Sequence, residues 1–310
     1  MRLRQTYYDH KFARLAKKFR GYPRGRSSQK GKWDLFKDLN SGSSSELFLG
    51  VYGDLAIMDL LGEFGLFEAL TDQGISDPCL DLDLSDAYRH ILRLFDKAIS
   101  PETLIAELVF RRSRWPHSTS PELDIEPYPC LHLEWILLQN PYRRFDSRHP
   151  ALPQQDCPGL ALGDMTLSLI AAMAKNLRMG SVSTVPASLH SALFFLRSYS
   201  AVSSKTQADL LALKRAAKRF GRIEVVWAEE WGDLLVDDTH EIYKWEPSEL
   251  VQPLNEDLKA WFAEHVGETT GHSGAPPRFV IREGVRAERR ADGSVIREYQ
   301  SAVAKTTTSP

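Results

Sequence analysis

The feature that most constrains this fold is an almost wholly apolar run at residues 131–138, which reads Leu-His-Leu-Glu-Trp-Ile-Leu-Leu. A strand this apolar has both faces covered, so the run predicts a central strand of a sheet. Shortly after it, residues 162–177 carry apolar side chains three and four positions apart, which is the spacing of one helix face. The pair therefore predicts a helix that packs against a sheet.

The periodicity of the rest of the chain changes repeatedly between strand and helix. The pattern predicts strands at residues 80–84, 90–95, 104–110, 181–185 and 223–227, and helices at residues 187–198, 207–220 and 255–265. It also predicts a late hairpin that turns at Asp292-Gly293. Strands first, followed by alternating helices and strands, predict an α/β fold with a mixed central sheet and flanking helices.

Composition divides the chain into three parts. Residues 1–45 are predicted to be a basic, partly flexible arm that ends in Ser-Gly-Ser-Ser-Ser. Residues 46–254 are predicted to form the α/β domain, and residues 255–310 are predicted to form a C-terminal helix, a linker and the hairpin with a flexible tail. The basic arm is suited to an anionic partner such as nucleic acid, an anionic lipid surface or an acidic protein; the alternative is a solvated tail.

Several classes of protein are disfavoured. No apolar run approaches the ~18 residues of a membrane-spanning helix. The three cysteines are scattered, which argues against a disulfide framework and fits a reducing compartment, so we predict a cytoplasmic protein. His132-x-Glu134 begins like a zinc-deaminase motif, but the later Pro-Cys-x-x-Cys is missing, so no metal site is expected.

The segment between the apolar strand and the following helix is the candidate binding loop. Glycine lets a backbone approach a phosphate closely, and the first turn of a helix offers N–H groups and a positive dipole end. The residues that would supply these donors are Gly159, Leu160, Ala161, Leu162 and Gly163.

This arrangement resembles the GNAT (GCN5-related N-acetyltransferase) superfamily over about residues 47–254, most specifically over 131–202. The family loop reads Arg/Gln-x-x-Gly-x-Gly/Ala, and here Asp156-Cys-Pro-Gly-Leu-Ala161 stands in its place. The resemblance implies a sheet that splays after the central strand, acetyl-CoA bound at residues 159–163, and a small-molecule or protein amine as acceptor.

The resemblance also implies catalytic roles. Glu134, expected to share a strand face with Cys130 and His132 and to lie opposite Leu133 and Trp135, is the candidate general base. Apolar neighbours would raise the pKa of a buried Glu134. The alternative is a structural glutamate paired with an arginine such as Arg93 or Arg111.

Two residues are candidates for the acid that protonates the leaving thiolate. They are Tyr199, whose alternative role is packing, and His190, whose alternative is a half-buried helix residue. The implied function is acyl-CoA-dependent N-acyl transfer. A catalytically inactive GNAT-fold binding or regulatory module is the alternative, and a nucleic-acid-associated protein that uses the basic arm is a third reading.

Overall fold

The computed structural model describes residues 47–116, 123, 125–266 and 277–299. The predicted arm, most of the predicted linker and the closing tail lie outside these residues. The described residues fall into two compact units. The first comprises 47–142, Gly159–Val185 and Val251–Ala260; the second comprises Arg143–Pro158, Pro186–Leu250 and the described residues after 260. The predicted domain at 46–254 thus contributes to both units.

Seven α-helices and eleven strands occur in the described part of the chain. The helices are α1 (Asp54–Glu63), α2 (Leu66–Thr71), α3 (Gly163–Asn176), α4 (Leu189–Phe195), α5 (Ser204–Phe220), α6 (Arg222–Trp231) and α7 (Glu256–His265). The strands are β1 (Pro78–Asp83), β2 (Arg89–Asp96), β3 (Leu104–Trp115), β4 (Tyr128–Leu138), β5 (Ser181–Thr184), β6 (Ser200–Ala201), β7 (Leu234–Val236), β8 (Leu250–Pro253), β9 (Phe279–Ile281), β10 (Val285–Arg289) and β11 (Val295–Tyr299).

The sheet of the first unit confirms the mixed α/β prediction. Strands β1, β2, β3 and β4 pair antiparallel in chain order, β5 lies parallel to β4, and β8 follows β5. The apolar run is therefore an interior strand, as predicted, and its side chains Leu131 and Leu133 are completely buried. Because β4 and β5 are parallel, the chain must cross over between them, and α3 makes that crossover.

One face of this sheet is covered by α1, α2 and α3. The apolar side chains of α1, α2 and α3 meet those of β2, β3 and the end of β4 around one hydrophobic interior. On α3, Met165, Leu169 and Met173 recur at helical spacing and point into this interior, which confirms the helix predicted at 162–177. Burial of this stripe, rather than helix propensity, holds α3 against the sheet.

A β-bulge on β4 corrects the predicted assignment of faces. Val109 of β3 lies opposite Trp135, and Phe110 lies opposite Leu133, so Glu134 is an extra residue without a cross-strand partner. Beyond the bulge the alternation is shifted by one position. Trp135 therefore does not share a face with Leu133 but lies on the opposite one, where its side chain is 51% exposed.

The strand predicted at 223–227 is wrong, because this segment belongs to helix α6. Its buried residues Val225, Val226, Ala228 and Glu229 follow the three- and four-residue spacing of a helix, which five residues are too few to reveal. The helix ends at Gly232, whose positive φ of 74° is a left-handed conformation that glycine adopts easily.

The C-terminal hairpin of the second unit is confirmed. Strands β10 and β11 pair antiparallel, and the Ser294 N–H donates to the Asp292 carboxylate at 2.9 Å within the turn. Gly293 has a φ of 79°, a value that explains the glycine at this position.

The start of β5 generates a test of the fold. The Gly180 N–H donates to Pro129 O at 2.7 Å, and a Cβ added to Gly180 would lie 2.7 Å from the Cβ of Tyr128. Because that neighbour is anchored in β4, Gly180→Ala should lower the free energy of unfolding by about 1–3 kcal/mol, measured by chemical denaturation.

Gly159→Ala is the matched control for this substitution. Its Cβ would lie 3.6 Å from Leu138 O, an ordinary contact, so we expect a change within about 0.5 kcal/mol. Equal losses in the two variants would contradict the close approach of Gly180 to β4.

Candidate functional site

The predicted binding loop folds against the end of β4. Gly159 forms an antiparallel bridge with Gln139, and the Leu160 carbonyl accepts a hydrogen bond from the Gln73 side chain. Ala161 has a positive φ of 56°, which turns the chain from this bridge toward α3. The loop is therefore anchored at its start and directed into a helix.

The last two loop residues form the N-terminus of α3. Leu162 is the N-cap, Gly163 is the first helical residue, and the first helical hydrogen bond runs from the Thr166 N–H to Leu162 O at 2.9 Å. The N–H groups that precede this bond have no partner within the helix and mark its positive end. Since the side chains of Leu160 and Leu162 line the hydrophobic interior, the loop can offer a ligand only its backbone.

Beside this loop, β4 extends past the end of β5, the parallel strand that pairs with it. Strand β5 pairs with β4 only from Cys130 to Leu133, while β4 continues for five more residues. The pairing stops where Val185 precedes Pro186, a residue without an N–H to donate. We call residues 134–138, on the side away from β3, the open edge of β4.

The backbone direction at this open edge can be assigned. The Gln139 N–H donates to Ile105 O, at the β3 side of the strand, at 2.8 Å. Successive residues of a strand direct their polar groups to opposite sides, so Leu138 and Ile136 direct theirs toward the open edge. The Gly159 bridge on this side is made through the groups that flank Gln139, which include those of Leu138, so the groups of Ile136 are the ones suited to pairing with an extended ligand.

Glu134, the candidate base, is held by two arginines on the solvent-facing side of the sheet. Its carboxylate accepts from Arg89 Nε at 2.7 Å and also from Arg111 Nε. Partial burial raises the pKa of Glu134, but the hydrogen bonds and charges of Arg111 and Arg89 outweigh it, so the pKa lies below its usual range. The raised pKa expected from the sequence is therefore wrong, and the alternative of an arginine-paired glutamate describes this residue.

A buried polar cluster at the β4–β5 pairing was not predicted. His132 Nδ1 lies 2.8 Å from Ser183 Oγ, and Cys130 Sγ lies 3.4 Å from the same hydroxyl. Ser183 is fully buried, so the cluster fixes the register of the two parallel strands. The sequence predicted both strands but not their register. Without the register, the contacts of Ser183 with His132 and Cys130 could not be predicted.

The two candidate acids lie in the second unit, whereas Glu134 and the loop lie in the first. His190 Nδ1 is 3.0 Å from Ser188 Oγ, and burial together with the Arg222 charge lowers the pKa of His190 to about 4. This imidazole is uncharged near neutral pH and is a poor proton donor there. Tyr199 is buried with its ring edge against Phe195 at 5.2 Å, which favours the packing role.

No protein-family model and no curated protein matches the chain. None of the helices described above is long and apolar enough to cross a membrane. Across residues 47–116, 123, 125–266 and 277–299, no three histidine, cysteine or acidic side chains are grouped so that they could hold a metal ion.

The ion pairs of Glu134 predict a pH-dependent contribution to stability. Because the folded-state pKa is lowered, the stabilisation is present above the unfolded pKa of about 4.3 and is lost as pH falls through the folded value. Glu134→Gln should therefore lower the free energy of unfolding by about 1 kcal/mol at pH 7, and the difference from the parent should shrink as the pH falls below the unfolded pKa.

Arg111→Met supplies the second arm of a double-mutant cycle for this pair. In the Glu134→Gln background the arginine substitution should cost less than in the parent. Additive effects at pH 7, or a difference that does not shrink as the solution is acidified, would contradict the ion pair.

Proposed function

We propose that this chain is an acyl-CoA-binding, N-acyltransferase-like protein that holds its ligand along the open edge of β4, with an amine as acceptor. The observation that carries the proposal is the β4–α3–β5 unit. In this unit β4 extends beyond its pairing with β5, and the loop that leads into the N-terminus of α3 is bridged to the end of β4. This is the arrangement that the resemblance to GNAT enzymes implies.

The chemical groups at this edge match those of a CoA thioester. The pantetheine arm is an extended chain with two amides, which can pair with strand groups such as those of Ile136. Its phosphates carry negative charge, which the first turn of a helix attracts. Asp164 lies in that turn and opposes such an anion, so we expect binding to be weakened by this carboxylate.

A bound acyl-CoA would supply a thioester carbonyl for attack by the amine. The residues of this chain would contribute alignment of that carbonyl through the strand backbone. Trp135 stands beside the open edge with half of its side chain exposed, where it can cover a ligand from water.

A non-catalytic binding module is the second candidate, and Glu134 is the observation that favours it. A general base must be free to accept a proton, but this carboxylate is held by Arg89 and Arg111 and has a lowered pKa. If the chain binds acyl-CoA without releasing CoA in the presence of a panel of amines, this candidate is correct.

Substitution of Asp164 tests the ligand site. Asp164→Asn removes the negative charge from the first turn of α3, so CoA affinity measured by calorimetry at low salt should rise about three- to tenfold. Asp54→Asn makes the same change in the first turn of α1 and should leave CoA affinity unchanged. In the parent, CoA should bind more tightly than either pantetheine or 3′,5′-ADP, because only CoA engages both the edge and the helix.

Two results would overturn the proposal. One is the absence of any CoA binding at millimolar concentration in both the parent and Asp164→Asn. The other is CoA binding that responds equally to Asp164→Asn and Asp54→Asn, since the helix N-terminus would then not be specific to α3.

A further inference from the structure

His90, on β2, is a buried histidine that holds the turn at residues 47–52 against the sheet. The Leu49 N–H donates to His90 Nδ1 at 2.8 Å, and His90 is only 3% exposed. An imidazole nitrogen accepts a hydrogen bond only when it carries no proton. Nδ1 is therefore bare, and the ring is neutral with its single proton on Nε2.

The turn that His90 holds is compact and locally strained. Backbone hydrogen bonds of 2.8 and 3.0 Å join Phe48 to Tyr52, and Phe48 and Leu49 are buried. Leu49 has a positive φ of 49°, which is an unfavourable conformation for leucine and persists only where contacts fix it. Those contacts are the His90 acceptor and Asn176 of α3, which donates to Tyr52 Oη at 2.8 Å. Burial raises the pKa of Tyr52, so the turn brings no charge near His90.

The surroundings of His90 oppose its protonation. Burial and the positive charge of Arg112 on β3 lower the pKa of His90. The Ala87 backbone and the carboxylates of Asp86 and Asp83 act in the opposite direction, with smaller effects. Because the folded-state pKa is lowered, the stabilisation by the neutral ring is complete above the unfolded value of 6.5 and is lost as the pH falls through the folded value.

We propose that His90 is an acid-sensitive latch, which releases residues 47–52 from the sheet when its imidazole takes up a proton. Protonation of Nδ1 turns the acceptor into a donor that faces the Leu49 N–H, and it adds a positive charge in the surroundings of Arg112. Release of the turn uncovers the apolar side chains of Phe48 and Leu49, so acid exposes an apolar surface on the first unit. The latch does not involve the proposed acyl-CoA site, and its test needs no ligand.

Amide hydrogen exchange at Leu49 tests the latch, with each rate corrected for the intrinsic effect of pH on exchange. Between about pH 7.5 and about pH 5 the protection factor should fall roughly three- to thirtyfold, because the released form binds the proton more tightly. The ¹⁵N resonance of His90 Nδ1 supplies a second readout in the unaltered protein. At neutral pH it should be that of a bare nitrogen, and it should change to that of an N–H as Leu49 loses protection.

His90→Asn separates the acceptor from its titration, since it keeps an acceptor oxygen near the position of Nδ1 but has no proton to gain in this range. The acid dependence of Leu49 protection should then be lost, whether or not the new oxygen preserves full protection at neutral pH. His149→Asn is the matched control, because His149 is exposed and belongs to the second unit. In this control Leu49 protection should fall in acid as it does in the parent.

The proposal is overturned if Leu49 protection in the parent is the same at neutral and acid pH. It is also overturned if the loss in acid persists in His90→Asn, since another group would then be responsible for it. A proton on His90 Nδ1 at neutral pH would contradict the hydrogen bond on which the latch depends, and this result requires no variant.

Discussion

The first unit depends on the unequal pairing of β4. On one side β4 pairs with β3 along its length, and on the other it pairs with β5 over four residues only. The paired half is sealed by Leu131 and Leu133 against the helices and by the cluster around Ser183 on the other side. The second half is left with an edge because Pro186 ends the parallel pairing. The first half of β4 thus contributes to the stability of the unit, and the second half forms the candidate binding surface.

Much of this unit follows from local pattern. The apolar run, the stripe of α3 and the short strand at 181 each carry enough signal to predict an interior strand, a crossover helix and a parallel neighbour. The hairpin was predictable from Asp292-Gly293, since only a few residue pairs suit its turn. The pattern did not predict the bulge at Glu134. Its one inserted residue reverses the face of the sheet to which every later residue of β4 is assigned.

The predicted chemistry was harder to obtain than the fold. A glutamate between Leu133 and Trp135 looks buried in the sequence, but its face of the sheet also carries Arg89 and Arg111 of neighbouring strands, which hold its carboxylate. Helix α6 was missed because Ile223, Val225 and Val226 are typical of strands, and tertiary burial decided between the two periods.

The central claim is that the open edge of β4 and the first turn of α3 bind one ligand together. Amide hydrogen exchange with and without CoA tests it most directly, because it reports on individual backbone N–H groups. The account predicts that CoA slows exchange at Ile136 and in the first turn of α3, while the amides of β10 and β11 are unaffected. Protection confined to other segments, or none at saturating CoA, would contradict it.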